Sequence, residues 1–349
     1  MELTQKIEKA KEIMKGKDLA IAFSGGADSV FLAYIAKSVA TNVLAIIFNN
    51  SLMPSKFLND AQKVAEAIEI EYKIINEDFL KNEKFTENDS RRCFICRNIM
   101  YSKIKEIATK NGFETIVDGT NISDLLEDRP GIIVNYKNNI LSPIVNAGIE
   151  KEEVLEYLTK NDINYSKVTS CLATRIKTGE KISPKKINRI SYAEDLLKNL
   201  TKNEIVRIRD ISNTAQIEVE YIEPLLNKNT LKLIESELKA VNFEKVTLAI
   251  DTIKVKKEIV IYKPCKDEAN KIMFENELPY EIDIEKTCRE LEKLGKVKCS
   301  KEMGVAMFDI DGKSVTIFKN GKIVVRKVQN KEDTQNILIK ILPLIRRIL

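Results

Sequence analysis

The stretch Leu19-Ala20-Ile21-Ala22-Phe23-Ser24-Gly25-Gly26-Ala27-Asp28-Ser29 restricts the fold of this chain more than any other. The apolar run Leu19 to Phe23 predicts a buried parallel strand, too short and too uniformly apolar for a half-solvated one. Ser24-Gly25-Gly26 then imposes a tight turn, and Val30 to Val39 reads as an apolar helix. Two glycines let the backbone approach a ligand with no Cβ in the way. The N–H groups of the turn and the positive end of the helix converge on one point, which favours a phosphate. Asp28 beside a phosphate calls for Mg²⁺ between them, on charge alone. The Gly-Gly pair by itself would fit an ordinary strand–helix turn. No Gly-Lys-Ser/Thr follows, so this is not a Walker A loop.

Downstream, apolar and helical stretches alternate. Asn42 to Phe48, Tyr72 to Ile75 and Thr115 to Val117 read as further strands; Ser55 to Glu69 and Phe94 to Lys110 read as helices. Such alternation predicts an α/β fold, a doubly wound parallel sheet whose ligands sit at the carboxyl ends of the strands. Ahead of it, Leu3, Ile7, Ala10, Ile13 and Met14 share one face of an amphipathic helix. The length of 349 residues suggests two or three domains. There is no histidine, which excludes a His general base, a Ser-His triad and His-ligated zinc. With no long apolar run and no signal-peptide pattern, a soluble cytoplasmic protein without membrane contact is expected. The net charge of +5 is small for this length and disfavours nucleic acid as a partner.

Three loops carry the remaining chemistry. After the second strand, Asn49-Asn50-Ser51 borders the expected adenosine position. After the fourth, Asp118-Gly119-Thr120-Asn121 and Glu127-Asp128-Arg129-Pro130-Gly131 place acids where Mg²⁺ or a ribose would lie, and Arg129 where it would clamp an anionic substrate. Cys93 and Cys96 form a C-x-x-C among Arg91, Arg92 and Arg97 at a helix start, a setting that favours thiolates. The pair suits a redox couple, half a metal site or two buried thiols; with Cys171, three thiolates could hold a [4Fe-4S] cluster with one iron open. Six cysteines in a chain of this kind argue against a disulfide framework, and Cys265, Cys288 and Cys299 read as isolated structural thiols.

Ser24 to Ser29 resembles the signature of the PP-loop ATP pyrophosphatases, the adenine nucleotide alpha hydrolase-like fold. Together with Arg92-Cys93-Phe94-Ile95-Cys96, Asp118 to Asn121, Asp128-Arg129-Pro130-Gly131, Ser170-Cys171-Leu172-Ala173-Thr174-Arg175 and Val206-Arg207-Ile208-Arg209, it makes residues 1 to about 250 similar to the LarE family, sulfur transferases of nickel-pincer nucleotide cofactor synthesis. The resemblance implies that ATP adenylates a carboxylate of pyridinium-3,5-biscarboxylic acid mononucleotide and that sulfur then displaces AMP. Ser24, Gly25, Gly26, Ser29, Gly119 and Thr120 would bind ATP, and Asp28 would hold Mg²⁺. Cys93, Cys96 and Cys171 would bind a [4Fe-4S] cluster carrying the transferable sulfide, reloaded by a sulfur donor. In another branch of the family the residue at the position of Cys171 is itself sacrificed. Arg129, Arg175, Arg207, Arg209 and Glu218 would hold the substrate. The rival enzyme reading is a PP-loop tRNA thiolase; the non-enzyme reading is an ATP-binding sensor or scaffold.

Residues 1–170 are thus expected to form the PP-loop domain. Residues 171–262 would form a small α/β substrate and oligomerisation domain, giving a homo-oligomer. Ser183-Pro184 starts its helix with an N-cap and Pro at N1. Strands Glu204 to Arg209 and Ala215 to Tyr221 follow, with Arg207 and Arg209 on one face; cross-strand ion pairing is the plain alternative to substrate binding there. A helix from Pro224 to Ala240 and a strand from Lys245 to Ile250 complete it. Residues 263–349 form an additional α/β domain, expected to be ferredoxin-like, with a hairpin at Lys319-Asn320-Gly321-Lys322 and a last helix from Glu332 to Ile348.

Overall fold

In the computed structural model, which describes residues 2–127, 129–167, 170–251, 253, 261–262, 272–329 and 331–348, the first strand forms where the apolar run predicts it. Strands β1 (Asp18–Phe23), β2 (Asn42–Asn49), β3 (Glu71–Asn76) and β4 (Thr115–Asp118) make a parallel sheet in the order β3-β2-β1-β4. Chain order reverses between β1 and β4, which opens a crevice at their carboxyl ends. Leu19, Ile21 and Phe23 pack into one core with helices α1 (Leu3–Met14) and α2 (Ala27–Lys37). Ala20, Leu44 and Ile46 face the other core, beneath the helix Arg92–Lys110. Burial on both faces is why these strands read as continuous apolar runs rather than alternating ones.

The second unit hangs from the helix Pro184–Thr201, whose N-cap Ser183 accepts from the Lys186 N–H. Strands β5 (Val206–Ile211) and β6 (Thr214–Val219) pair antiparallel, and β7 (Lys245–Leu248) adds parallel to β6. Along β5, Val206, Ile208 and Asp210 are buried while Arg207 and Arg209 are half-exposed on the opposite face. The helix expected to begin at Pro224 begins instead at Lys228, because Asn227 caps it by accepting from the Thr230 N–H.

The third unit departs from expectation in three ways. Its sheet has six strands in the order β10-β11-β12-β13-β9-β8, with β8 (Ile261–Tyr262), β9 (Ile272–Glu277), β10 (Val297–Ser300), β11 (Val305–Ile310), β12 (Lys313–Phe318) and β13 (Lys322–Val328). Every pairing is antiparallel and β10 to β13 run in chain order, a meander rather than the interleaved ferredoxin-like arrangement. The expected β12–β13 hairpin is present. The last helix spans Lys331–Ile341 and not Glu332 to Ile348, because Pro343 turns the chain into a 3₁₀ segment, Leu342–Leu344. Cys288 and Cys299 are not isolated thiols but a disulfide, with Cα atoms 6.2 Å apart. Their eleven-residue separation hid the pairing, since the helix Ile284–Leu291 folds back onto β10. Cys265 lies outside the described residues.

This unit is also joined to the first by packing. Ile282, Ile341 and Leu342 share one core with Ile122, Leu125, Ile132 and Val145. The Tyr280 hydroxyl donates to the Leu125 carbonyl at 3.0 Å, and the Arg346 guanidinium lies 4.0 Å over the Tyr136 ring. No helix among the described residues is long and apolar enough to cross a membrane.

Candidate active site

The loop after β1 is built by its own hydroxyls. The Ser24 Oγ lies 3.2 Å from the Ser29 Oγ, the Gly26 N–H donates to the Ser24 Oγ at 3.3 Å, and the Ser29 Oγ donates to the Gly26 carbonyl at 3.0 Å. Gly25 has φ +72°, and a Cβ there would stand 2.8 Å from the Ala61 Cα. Only glycine combines that backbone with that approach. Gly119 plays a related part: a Cβ on it would meet the Asp28 carbonyl carbon at 2.8 Å and the Ser29 nitrogen at 2.9 Å. Gly119 thus lets the β4 loop lie against the first turn of α2.

Asp28 sits in that first turn, where the helix dipole favours an anion. Its carboxyl is nevertheless raised above the usual range: burial outweighs the hydrogen bond from Asn121 (Nδ2 to Oδ1, 2.9 Å) and the charges of Lys151 and Arg129. Asp124 is pushed up to about 6, first by burial and also by Asp28, against the pull of Arg129. Asp28 and Asp124 are thus neighbouring carboxyls, each raised chiefly by burial. Arg129, expected to clamp substrate, already binds Asp124 at 2.7 Å and Glu127 at 2.8 Å. Asp128 lies outside the described residues.

Asp118 corrects the expectation that every acid of the β4 loop faces Mg²⁺ or ribose. Its carboxylate is buried and accepts hydrogen bonds from Arg97, the Tyr101 hydroxyl (2.6 Å), the Thr120 hydroxyl (2.8 Å), the Asn135 amide (2.8 Å) and the Ser142 hydroxyl (2.7 Å). Burial alone would raise this carboxyl; Arg97 and the hydrogen bonds outweigh it and hold it below its ordinary value. Thr120 is therefore buried and engaged with Asp118. Nothing in the sequence marks this hub except the arginine directly after the C-x-x-C.

The three thiols converge from distant parts of the chain. The Leu172 N–H donates to the Leu52 carbonyl at 2.7 Å, hanging the Cys171 segment from the loop after β2. Arg92 donates to the Ala173 carbonyl at 3.3 Å, with its Nη2 3.7 Å from the Cys93 Sγ. Cys93, Cys96 and Cys171 are all free and half-buried. Cys96 and Cys171 are not thiolates by predisposition, as the arginines had suggested. Burial, followed by the neighbouring Cys171 and Cys93, pushes Cys96 up to about 12, against a hydrogen bond from Asn50. Cys171 is raised to about 11, chiefly by burial, against the Ala173 N–H, Arg92 and Arg175. Arg91 is paired with Asp89 and Arg97 with Asp118, which removes two of the three expected cations. Among the described residues no group of three or more His, Cys, Asp or Glu is arranged to hold a metal ion. Three thiols are a donor set that suits iron, and Cys93 and Cys171 both lie near enough to Cys96 to raise its thiol. Asn50, Arg92 and Asn121 are the site residues that sequence patterns underweighted, being common turn and cap formers.

The arginines of the expected substrate site divide sharply. Arg175 is only 2% exposed and bonds to Glu194 at 2.6 Å, Ser170 at 2.7 Å and Thr174 at 3.0 Å, so it braces the Cys171 segment from inside. Arg209 donates to Glu218 at 3.0 Å and to the Thr174 carbonyl at 3.0 Å. Arg207, opposite Glu218 in register, has a buried Nε with no hydrogen-bond partner. Burial first, then repulsion by Arg175 and Arg209, lowers its guanidinium below the ordinary value. Arg207 is thus the member of the set whose buried Nε is left without a hydrogen-bond partner.

A protein-family model described as a PP-loop domain matches residues 1–129. An uncharacterized protein of Methanocaldococcus jannaschii is 31% identical over 69% of this chain and 92% of its own length. A second uncharacterized protein, from Synechocystis, is 30% identical over 71% of this chain and 95% of its own. The pyridinium-3,5-bisthiocarboxylic acid mononucleotide synthase of Lactiplantibacillus plantarum is 27% identical over 61% of this chain and 79% of its own.

Proposed function

Because the chain belongs to the LarE family of PP-loop enzymes, we propose that it is an ATP-dependent sulfur transferase that converts a carboxylate of pyridinium-3,5-biscarboxylic acid mononucleotide to a thiocarboxylate. The proximity of three free thiols, with Cys93 and Cys171 both acting on Cys96 and the Cys171 segment hung from the loop after β2, carries this reading. A turn that binds pyrophosphate explains ATP use; thiols next to it explain what the activated oxygen is exchanged for.

In this reading the Ser24, Gly25, Gly26 and Ser29 turn and the α2 N-terminus hold the pyrophosphate end of ATP, and Asp28 supplies a carboxylate to Mg²⁺. A substrate carboxylate attacks the α-phosphorus, forming the acyl–oxygen–phosphorus bond while pyrophosphate leaves. That step needs positioning and charge neutralisation rather than a base, consistent with a chain lacking histidine. Arg207 takes the substrate phosphate, with Arg209 and Glu218 fixing the strand face beneath it. Arg175 holds the Cys171 segment in place from the core. Cys93, Cys96 and Cys171 would hold a [4Fe-4S] cluster, which when bound supplies sulfide that is already deprotonated. A second reading, transfer of the Cys171 sulfur itself, is favoured by the Leu172–Leu52 hydrogen bond, which ties the Cys171 segment to the ATP side of the sheet.

Anaerobic purification with iron and sulfide analysis, followed by turnover with ATP and the dicarboxylate nucleotide, tests both. Cluster-dependent turnover requires iron bound through Cys93 and Cys96, together with pyrophosphate and thiocarboxylate formation. Loss of H₂S from Cys171 in the mass spectrum after a single turnover would overturn the cluster reading in favour of sacrifice. Neither pyrophosphate nor thiocarboxylate from the loaded protein would overturn the sulfur-transfer reading itself.

A further inference from the structure

Between the PP-loop domain and the third unit lies a cleft of about 750 Å³, lined by none of the three thiols and unused by any step above. That is the size of a small-molecule site. Its two walls differ in chemistry. The PP-loop wall is largely apolar and amide-bearing, with Ile133, Ile140 and Val145 beside Asn139 and Asn146, and it carries one cation, Lys137. The opposite wall is charged and comes entirely from the third unit, through Lys286, Lys293 and Arg346.

Counted over the whole lining, five basic side chains stand against two acidic ones. The acids are already engaged: Asp283 by Lys286 at 2.6 Å, and Glu290 by both Lys293 at 2.6 Å and Arg346 at 3.1 Å. One carboxylate thus serves two cations. Lys137 lies 5.0 Å over the Phe94 ring and has no carboxylate partner among the described residues. A positive cleft with one apolar wall selects a ligand with an apolar or flat body and concentrated negative charge.

We propose that this cleft is a second binding site, for a phosphorylated small molecule of mononucleotide size, with its phosphate at Lys286 and Lys293 and its ring against Ile133 and Val145. The floor links it to the catalytic half. Asn135 and Ser142 line the cleft and also donate to Asp118. Occupancy therefore bears on the β4 loop that lies against Asp28. The site depends on the third unit and is independent of the sulfur-transfer reading.

Hydrogen exchange on the full chain tests it, with AMP as the probe and inorganic phosphate as the comparison. AMP should protect residues 283–293 and 343–348 in addition to any protection around 24–29. Lys286 and Lys293 are 69% and 67% exposed at their side chains and their ion pairs with Asp283 and Glu290 are surface pairs, so Lys286→Glu with Lys293→Glu should leave the fold intact, checked by an unchanged melting temperature. That double variant should lose the 283–293 protection and weaken calorimetric AMP binding at this site about tenfold or more, the scale of a lost charge-assisted contact. Protection confined to residues 24–29, or an unchanged isotherm in the double variant, overturns the site. Equal protection by inorganic phosphate overturns the mononucleotide assignment.

Discussion

Replacing Asp118 by asparagine should destabilise the protein far more than it alters the chemistry directly. Five side chains donate to this carboxylate, and Arg97 is its ion-pair partner. An amide in its place would remove the charge and turn one acceptor into a donor facing donors. Removing one member of a buried pair leaves the other uncompensated, a loss of about 3–5 kcal/mol. Against a typical domain stability of about 5–15 kcal/mol that is about a fifth or more of the total. Urea unfolding followed by circular dichroism reads it as a lowered midpoint at unchanged slope. The pH dependence gives a second signature. The folded carboxyl lies below its ordinary value, so its contribution is present above the unfolded value of about 3.9 and is lost as pH falls through the lower folded value. Wild type should therefore lose stability below about pH 4 more steeply than Asp118→Asn. Stability of the variant within about 1 kcal/mol of wild type, or parallel pH profiles, would refute the hub and restore Asp118 as a ligand-facing acid.

Gly119→Ala drives a Cβ into the Asp28–Ser29 backbone and should lower stability by about 1–3 kcal/mol while weakening ATP binding, measured by thermal unfolding and calorimetry. Arg207→Gln should raise the substrate KM about tenfold to hundredfold, the scale of a charged hydrogen bond, with little change in melting temperature; a large melting shift instead would make it structural. Arg175→Met should behave oppositely, losing about 3–5 kcal/mol because Glu194 is left buried without its cation. Cys96→Ser should abolish iron loading yet retain ATP binding, read by iron analysis and nucleotide calorimetry.

The half of the molecule governed by local pattern was legible in the sequence. β1, its glycine turn and α2 follow from an apolar run, two glycines and a second apolar run, with no long-range information required. The meeting of Cys171 with the C-x-x-C was reached through resemblance rather than spacing, and the structure gives its cause in the Leu172–Leu52 and Arg92–Ala173 hydrogen bonds. What stayed hidden was the division of labour among like residues. Arg175, Arg207 and Arg209 look alike in sequence, yet Glu194 buries the first, Glu218 engages the third, and only Arg207 keeps an unpartnered Nε. Asp118 and Asp28 likewise differ only in which donors surround them. The cysteine pair of the third unit was missed for the same reason: contact between a helix and a neighbouring strand carries no sequence period.

The core shared between the third unit and residues 122–145 also governs how the chain emerges during synthesis. Ile122, Leu125, Ile132 and Val145 leave the ribosome about 200 residues ahead of Leu342 and Ile345, which share their core. At a synthesis rate of about 5–20 residues per second, that apolar patch waits roughly ten to forty seconds uncovered. A nascent chain with such an interval is a natural client for a holding chaperone, and a chain stopped near residue 262 never ends the wait.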